Sequence, residues 1–108
     1  MSIQNEILNA IASRRSCRAY KPEQITAEEL EAVTTAGTWA ATAMGRQSPV
    51  MVAVQDKETL AELSRLNAAV MGTKTDPFYG APTAVLVLGE KNNPNGVQDA
   101  SLVMGNLL

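Results

Sequence analysis

The chain has 108 residues, 45% of them hydrophobic and 19% charged, so it holds one globular domain at most and is not a disordered tail. A net charge of −2 argues against a nucleic-acid coat or a membrane-surface protein. With one cysteine and no histidine, there is no intrachain disulfide, no thiolate zinc site, no Ser-His or Cys-His catalysis and no imidazole–metal centre.

Ile3, Ile7, Leu8 and Ile11 recur at helical spacing and predict a first helix over roughly residues 3–14. Its charges follow the apolar part rather than precede it, which is the wrong order for a signal peptide, and no 18-residue apolar run follows. The expectation is a cytoplasmic, reducing compartment with no membrane and no nucleic acid. After an extended link, Thr26 and Glu29 have the spacing of a capping box, and Ile25 and Leu30 sit where a hydrophobic staple would clamp the entry. Leu30, Val33 and Ala36 make the stripe of this second helix, with Gly37 as its stop. Residues 38–49 are small and turn-rich and read as a loop. A buried strand is expected at 50–55, then a helix at 57–71 capped by Asp56, with Leu60, Leu63, Leu66 and Val70 inward. A long loop leads to a second buried strand at 83–88. From Asp99, read as a cap, the chain turns helical and ends on "LVMGNLL".

That ending is apolar and uncapped, and two strands alone do not make a sheet that stands in water. The expectation is a chain cut short, with Leu102, Val103, Leu107 and Leu108 exposed. The alternative is a small α+β domain whose last helix is buried against a partner.

The stretch "SRRSCRAY" (13–20) holds most of the interest. Arg14, Arg15, Arg18 and Lys21 place four of the nine Lys+Arg within a short segment, and no acid lies between Glu6 and Glu23. On extended backbone Arg14, Ser16, Arg18 and Tyr20 share one face, so two guanidiniums flank a hydroxyl and offer forked donors to a tetrahedral dianion. The cluster follows a helix C-terminus, where the dipole opposes an anion, so side-chain charge has to supply the attraction. Three readings stay open on these residues alone: a phosphate site, cations complementing a helix dipole, and a kinase-type phosphosite.

Asn67 sits among Leu60, Leu63 and Val70 at helical spacing and reads as an amide in an apolar stripe. It needs either a nearby backbone partner or a ligand. Asn106 raises the same question and reads as structural. Trp39, the only tryptophan, reads as an interface anchor or a pocket wall. Cys17 reads as a spectator between the arginines.

"RRSCRAYKPEQITAEEL" resembles the opening of the FMN-dependent nitroreductase family, in which a helix, an Arg-Arg-Ser-x-Arg-x-aromatic run and a Pro-containing link lead into an acidic-capped helix. The likeness continues through "AATAMGRQSPV", "DPFYGAPTAVLVL" and "DASLVMGNLL", in the family's order, over roughly the first two thirds of a family domain. It implies an α+β, three-layer αβα fold, here incomplete, in a single domain spanning 1–108. It also implies FMN bound by Arg14, Arg15, Ser16 and Arg18, from the phosphate along to the polar edge of the flavin ring. In the family the loop after the second helix reaches the flavin of the other subunit, which implies a homodimer with sites at its interface. That loop here is Ala40 to Gln47. It keeps Ala40, Thr42 and Gln47 of the family pattern but has Ala41 for its proline and Gly45 for its asparagine. The implied cofactor-binding positions here are Ala41, Thr42, Ala43 and Gly45, through the Thr42 hydroxyl and backbone approach at Ala43 and Gly45, with Asn67 as a further polar group from the third helix. The implied reaction is ping-pong: NAD(P)H delivers hydride to the flavin, then a nitroaromatic, quinone or similar acceptor takes the electrons. No side chain is expected to act as acid or base. The alternative from another class is a non-catalytic binder of flavin or a phosphate ligand, or a dimerising fragment.

Overall fold

The computed structural model describes residues 2–108. The first helix, α1 (Glu6–Ser13), starts later than its apolar spacing suggests because Asn5 caps it, Oδ1 accepting from Leu8 N at 2.8 Å. Ile3 therefore precedes the helix. At the other end Arg14 turns out of helical geometry (φ −56, ψ 135) while its N–H still donates to Ala10 O. The arginine run thus begins where α1 stops.

The second helix, α2 (Ala27–Thr38), carries the capping box in full. Glu29 N donates to Thr26 Oγ1 at 3.1 Å, and Thr26 N donates to Glu29 Oε1 at 2.9 Å. The reciprocal bond from the Thr26 N–H, with help from its side chain, holds the Glu29 carboxyl below its ordinary range. Gly37 does not end this helix: it lies inside it and is buried. A Cβ there would come within 2.6 Å of Met51 Sδ and 3.0 Å of Leu107 Cδ2, so this glycine is the point where three elements meet.

Strand β1 (Val50–Val54) pairs antiparallel with β2 (Ala84–Leu88), Val50 opposite Leu88 and Val54 opposite Ala84. Between them runs α3 (Lys57–Met71), capped as expected by Asp56, whose Oδ2 accepts from Thr59 N at 2.9 Å. Gly72 closes α3 in the left-handed region at φ 72, with Thr73 N donating to Ala68 O. The inward stripe of α3 is narrower than its spacing suggests. Leu60 is buried and Leu63 half-buried, but Leu66 is exposed and Val70 is 89% exposed.

The last helix, α4 (Gly96–Leu107), starts three residues before Asp99. It packs on α2 and on β2. Val103 is accordingly buried and Leu107 half-buried, against the expectation that both are open, whereas Leu102 and Leu108 are exposed. The entry to α4 is tight, since a Cβ on Gly96 would lie 2.5 Å from Glu90 O, and one on Gly89 2.9 Å from Gly96 O. Two main-chain segments touch there with no side chain between them.

The architecture is mixed α+β around a small sheet. Its surface, 8360 Å², is well above the ~5,800 Å² that a compact chain of this mass exposes. The radius of gyration, 15.8 Å, likewise exceeds the ~13 Å of a compact chain of this length. Large apolar faces on α1, on the outer side of α3 and at the end of α4 are therefore open. Among the described residues no helix is long and apolar enough to cross a membrane, and no cluster of ligating side chains could hold a metal ion.

Candidate functional site

Residues 14–20 carry no helix or strand and are exposed throughout. Their donors divide into used and unused. The Arg15 Nη1 donates to Ala12 O at 2.9 Å and to Arg14 O at 2.8 Å, which folds that guanidinium back over the end of α1. It satisfies carbonyls that the helix end leaves unpaired. Among the described residues no hydrogen bond or ion pair engages the Arg14 or Arg18 guanidinium, and the one ion pair is Arg65 with Glu62 on α3. The local backbone is fixed by small closures: Tyr20 Oη donates to Cys17 O at 3.0 Å, and Cys17 Sγ donates to Ala19 O. Cys17 is exposed and free. Two unengaged guanidiniums thus stand two positions either side of Ser16 along an exposed segment. Arg14 also lines a cleft with Ala10, Ile11, Gly105 and Leu108, so α4 borders this patch.

The second group of predicted residues, Ala41 to Gln47, forms a tight turn around a 3₁₀ segment at Ala43–Gly45. Met44 (φ 56), Gly45 (φ 63) and Gln47 (φ 49) are all left-handed. Each non-glycine residue held there costs about 1–2 kcal/mol, so the turn needs outside support. Three bonds supply it. Gln47 N donates to Thr42 Oγ1 at 2.9 Å, Gln47 Nε2 donates to Thr38 O at 3.1 Å, and Ala43 N donates to Asp99 Oδ1 at 3.0 Å. The Thr42 hydroxyl accepts within the turn and keeps its own hydrogen to donate outward. Ala41 and Gly45 are exposed and small, which leaves the main chain open to close approach. Trp39, just before the turn, is 80% exposed.

Asp99 was not legible as a partner of this turn. It reads as a helix cap, but it lies within the first turn of α4, is only 3% exposed, and reaches across to the loop instead. Its Oδ2 is buried without a hydrogen-bond partner. A buried acceptor left unpaired costs about 1–3 kcal/mol, so the position is not an indifferent one. A polar residue among Val103 and Leu107 at helical spacing was the available signal.

Asn67 does not join either group. It is exposed on α3 rather than buried in an apolar stripe, and its Nδ2 donates to Leu63 O one turn back at 2.8 Å. The true inward face of α3 runs through Leu60 and Ala68, which turns residue 67 outward. Asn106 ties α4 to α2 through Nδ2 donating to Ala36 O at 2.9 Å, the structural role expected of it. The loop at 76–80 is built on Asp76, whose carboxyl accepts from Phe78 N, Ser64 Oγ and Gly80 N. Those bonds, the Phe78 N–H foremost, hold the Asp76 carboxyl below its ordinary value.

The chain therefore presents two patches, unpaired arginines after α1 and a propped small-residue turn after α2, both bordering α4. The nitroreductase family model matches residues 11–108, and the chain belongs to that family. It is similar to a nitroreductase with bound FMN from Bacteroides fragilis NCTC 9343 at 30% identity and a TM-score of 0.85, covering 96% of this chain and 63% of that one. An FMN-dependent nitroreductase from Clostridium difficile R20291 superimposes equally well, at 27% identity and a TM-score of 0.85, over 95% of this chain and 53% of the other. A nitroreductase with bound FMN from Desulfitobacterium hafniense DCB-2 gives 27% identity and 0.85 over 97% and 63%. The chain thus spans between about half and two thirds of the length of these structures. No curated protein matches the sequence.

Proposed function

We propose that this protein is an FMN-dependent oxidoreductase that passes electrons from NAD(P)H to a small electrophile such as a nitroaromatic or a quinone. The observation that carries the reading is the pair of unengaged guanidiniums, Arg14 and Arg18, flanking the Ser16 hydroxyl. Cations at a helix end that served only its dipole would be expected to fold back as Arg15 does. Membership of the nitroreductase family and likeness to FMN-bound structures support the same reading.

The residues present fit FMN. Arg14 and Arg18 would take the phosphate, with Ser16 between them and the open Nε and Nη2 of Arg15 beside them toward the flavin edge. The turn would offer the Thr42 hydroxyl and the backbone of Ala41, Ala43 and Gly45. Asn67 would take part only through the donor and acceptor its bond to Leu63 leaves over. Bound FMN supplies the two-electron exchange between NAD(P)H and the acceptor. The chain's own part is to bind, to orient and to present an open approach, and no side chain has to move a proton.

Two copies of the chain would form the working unit, with loop 40–47 of one reaching the flavin of the other. The exposed Met44 within that loop and Trp39 just before it are the apolar surface such a contact would cover.

The test is the double substitution Arg14→Ala/Arg18→Ala in the polypeptide as it occurs in its source. Two charge-assisted bonds lost imply at least about a hundredfold weaker FMN binding, with helix content unchanged. FMN retention equal to wild type would overturn the phosphate assignment. FMN held tightly but not reduced by NADH or NADPH would favour the non-catalytic binder.

A further inference from the structure

Asp99 is the one buried polar side chain among the described residues, and the flavin-binding reading makes no direct use of it. Its Oδ1 accepts from Ala43 N at 3.0 Å across 56 positions of sequence, at the centre of a turn with three left-handed residues in four positions. Its Oδ2 is buried and unpaired. Holding Ala43 needs only one acceptor, and the carboxyl supplies it at the cost of burying a second oxygen that has no partner. What the arrangement returns is a fixed main chain at Ala43. The prop stands on a rigid base: one turn further along α4, Val103 is buried, and Leu107 packs against the Gly37 contact with α2. The same helix lines the cleft of Arg14 through Gly105 and Leu108. A site is held in register when the residues behind it are locked on regular elements.

We infer that Asp99 is a positioning residue of the flavin site, its carboxyl oxygen setting where the Thr42–Gln47 turn stands by holding the Ala43 N–H from beneath. The inference rests on the flavin reading above. It does not require Asp99 to touch flavin, only that the turn loses its place without an acceptor under Ala43.

The experiment compares wild type, Asp99→Asn and Asp99→Ala in the natural polypeptide. The Asn variant keeps an oxygen for Ala43, whereas the Ala variant does not. Three quantities are read: FMN affinity by fluorescence quenching, amide exchange at Ala43, and the melting temperature of the flavin-free protein. Asp99→Ala should speed exchange at Ala43 and weaken FMN about tenfold or more, while the melting temperature falls only modestly, because losing the orphaned oxygen offsets part of what the unpaired Ala43 N–H costs. Asp99→Asn should restore most of the affinity and the slow exchange. FMN affinity unchanged in Asp99→Ala, or lost equally in both variants, would overturn the inference. A fall in melting temperature with no selective loss of flavin would reduce Asp99 to a structural part and overturn it too. Wild-type protein with no FMN affinity would instead overturn the flavin reading, and Asp99 would then be judged on exchange at Ala43 alone.

Discussion

Substituting Gly96 by alanine tests whether the corner between β2 and α4 is set by main-chain contact. The new Cβ would stand 2.5 Å from Glu90 O, a distance that real Cβ atoms do not adopt, and the obstacle is backbone that no side-chain rotation can clear. Forcing atoms into a filled space costs about 1–3 kcal/mol, with the upper half fitting an immovable neighbour. Alanine returns at most about 1 kcal/mol in helix propensity. The net loss is therefore ~1–2 kcal/mol, or roughly 5–15 °C in melting temperature for about 100 residues. Gly37→Ala provides the contrast. Its Cβ would also collide, 2.6 Å from Met51 Sδ and 3.0 Å from Leu107 Cδ2, but every obstacle belongs to a flexible side chain that can turn aside. The same propensity gain then nearly offsets the strain, and stability should stay within about 1 kcal/mol of wild type. Circular-dichroism melts of the two variants measure both. Equal losses, or a larger loss at Gly37, would refute the distinction between backbone and side-chain obstacles.

Thr26→Ala removes one arm of the capping box, Glu29 N to Thr26 Oγ1, and should lower the unfolding free energy from chemical denaturation by about 1 kcal/mol. Acid should loosen the 76–80 turn. The Asp76 carboxyl is held below its ordinary value of 3.8, so its bonds contribute fully above that pH and are lost as pH falls through the lower folded value. Protection of the Phe78 and Gly80 amides, taken relative to their intrinsic exchange rate, should fall below about pH 4, and Asp76→Asn should flatten that dependence. Ala43→Arg should break either the proposed homodimer or the proposed flavin site; a dimer by light scattering with unchanged flavin would contradict the proposed shared site.

Local chemistry was legible and long-range chemistry was not. The Thr26–Glu29 box and the Asp56 cap are decided within four residues, and both stand where the sequence puts them. The outlook of Gly37 depends on Met51 and Leu107, which no window around residue 37 contains, so a glycine that reads as a stop is a buried crossing point. Asn67 and Val70 fail for a related reason. Helical spacing names a stripe, but only the neighbours of α3 decide how wide the covered part is, and here it covers Leu60 and Ala68. The arginine run was legible as a cluster because charge without nearby acid is visible in sequence. That Arg15 folds back while Arg14 and Arg18 stay free was not, since the choice depends on how the end of α1 presents its carbonyls. Asp99 was misread because its partner, Ala43, lies 56 positions away.

The claim that Arg14 and Arg18 form a phosphate site is tested most directly by titrating the flavin-free natural polypeptide with FMN and with riboflavin, which differ by that phosphate alone. Binding is followed through quenching of flavin fluorescence. Two charge-assisted contacts predict FMN tighter by at least about a hundredfold, with the gap narrowing as salt is raised. Equal affinities for the two flavins, insensitive to salt, would contradict it.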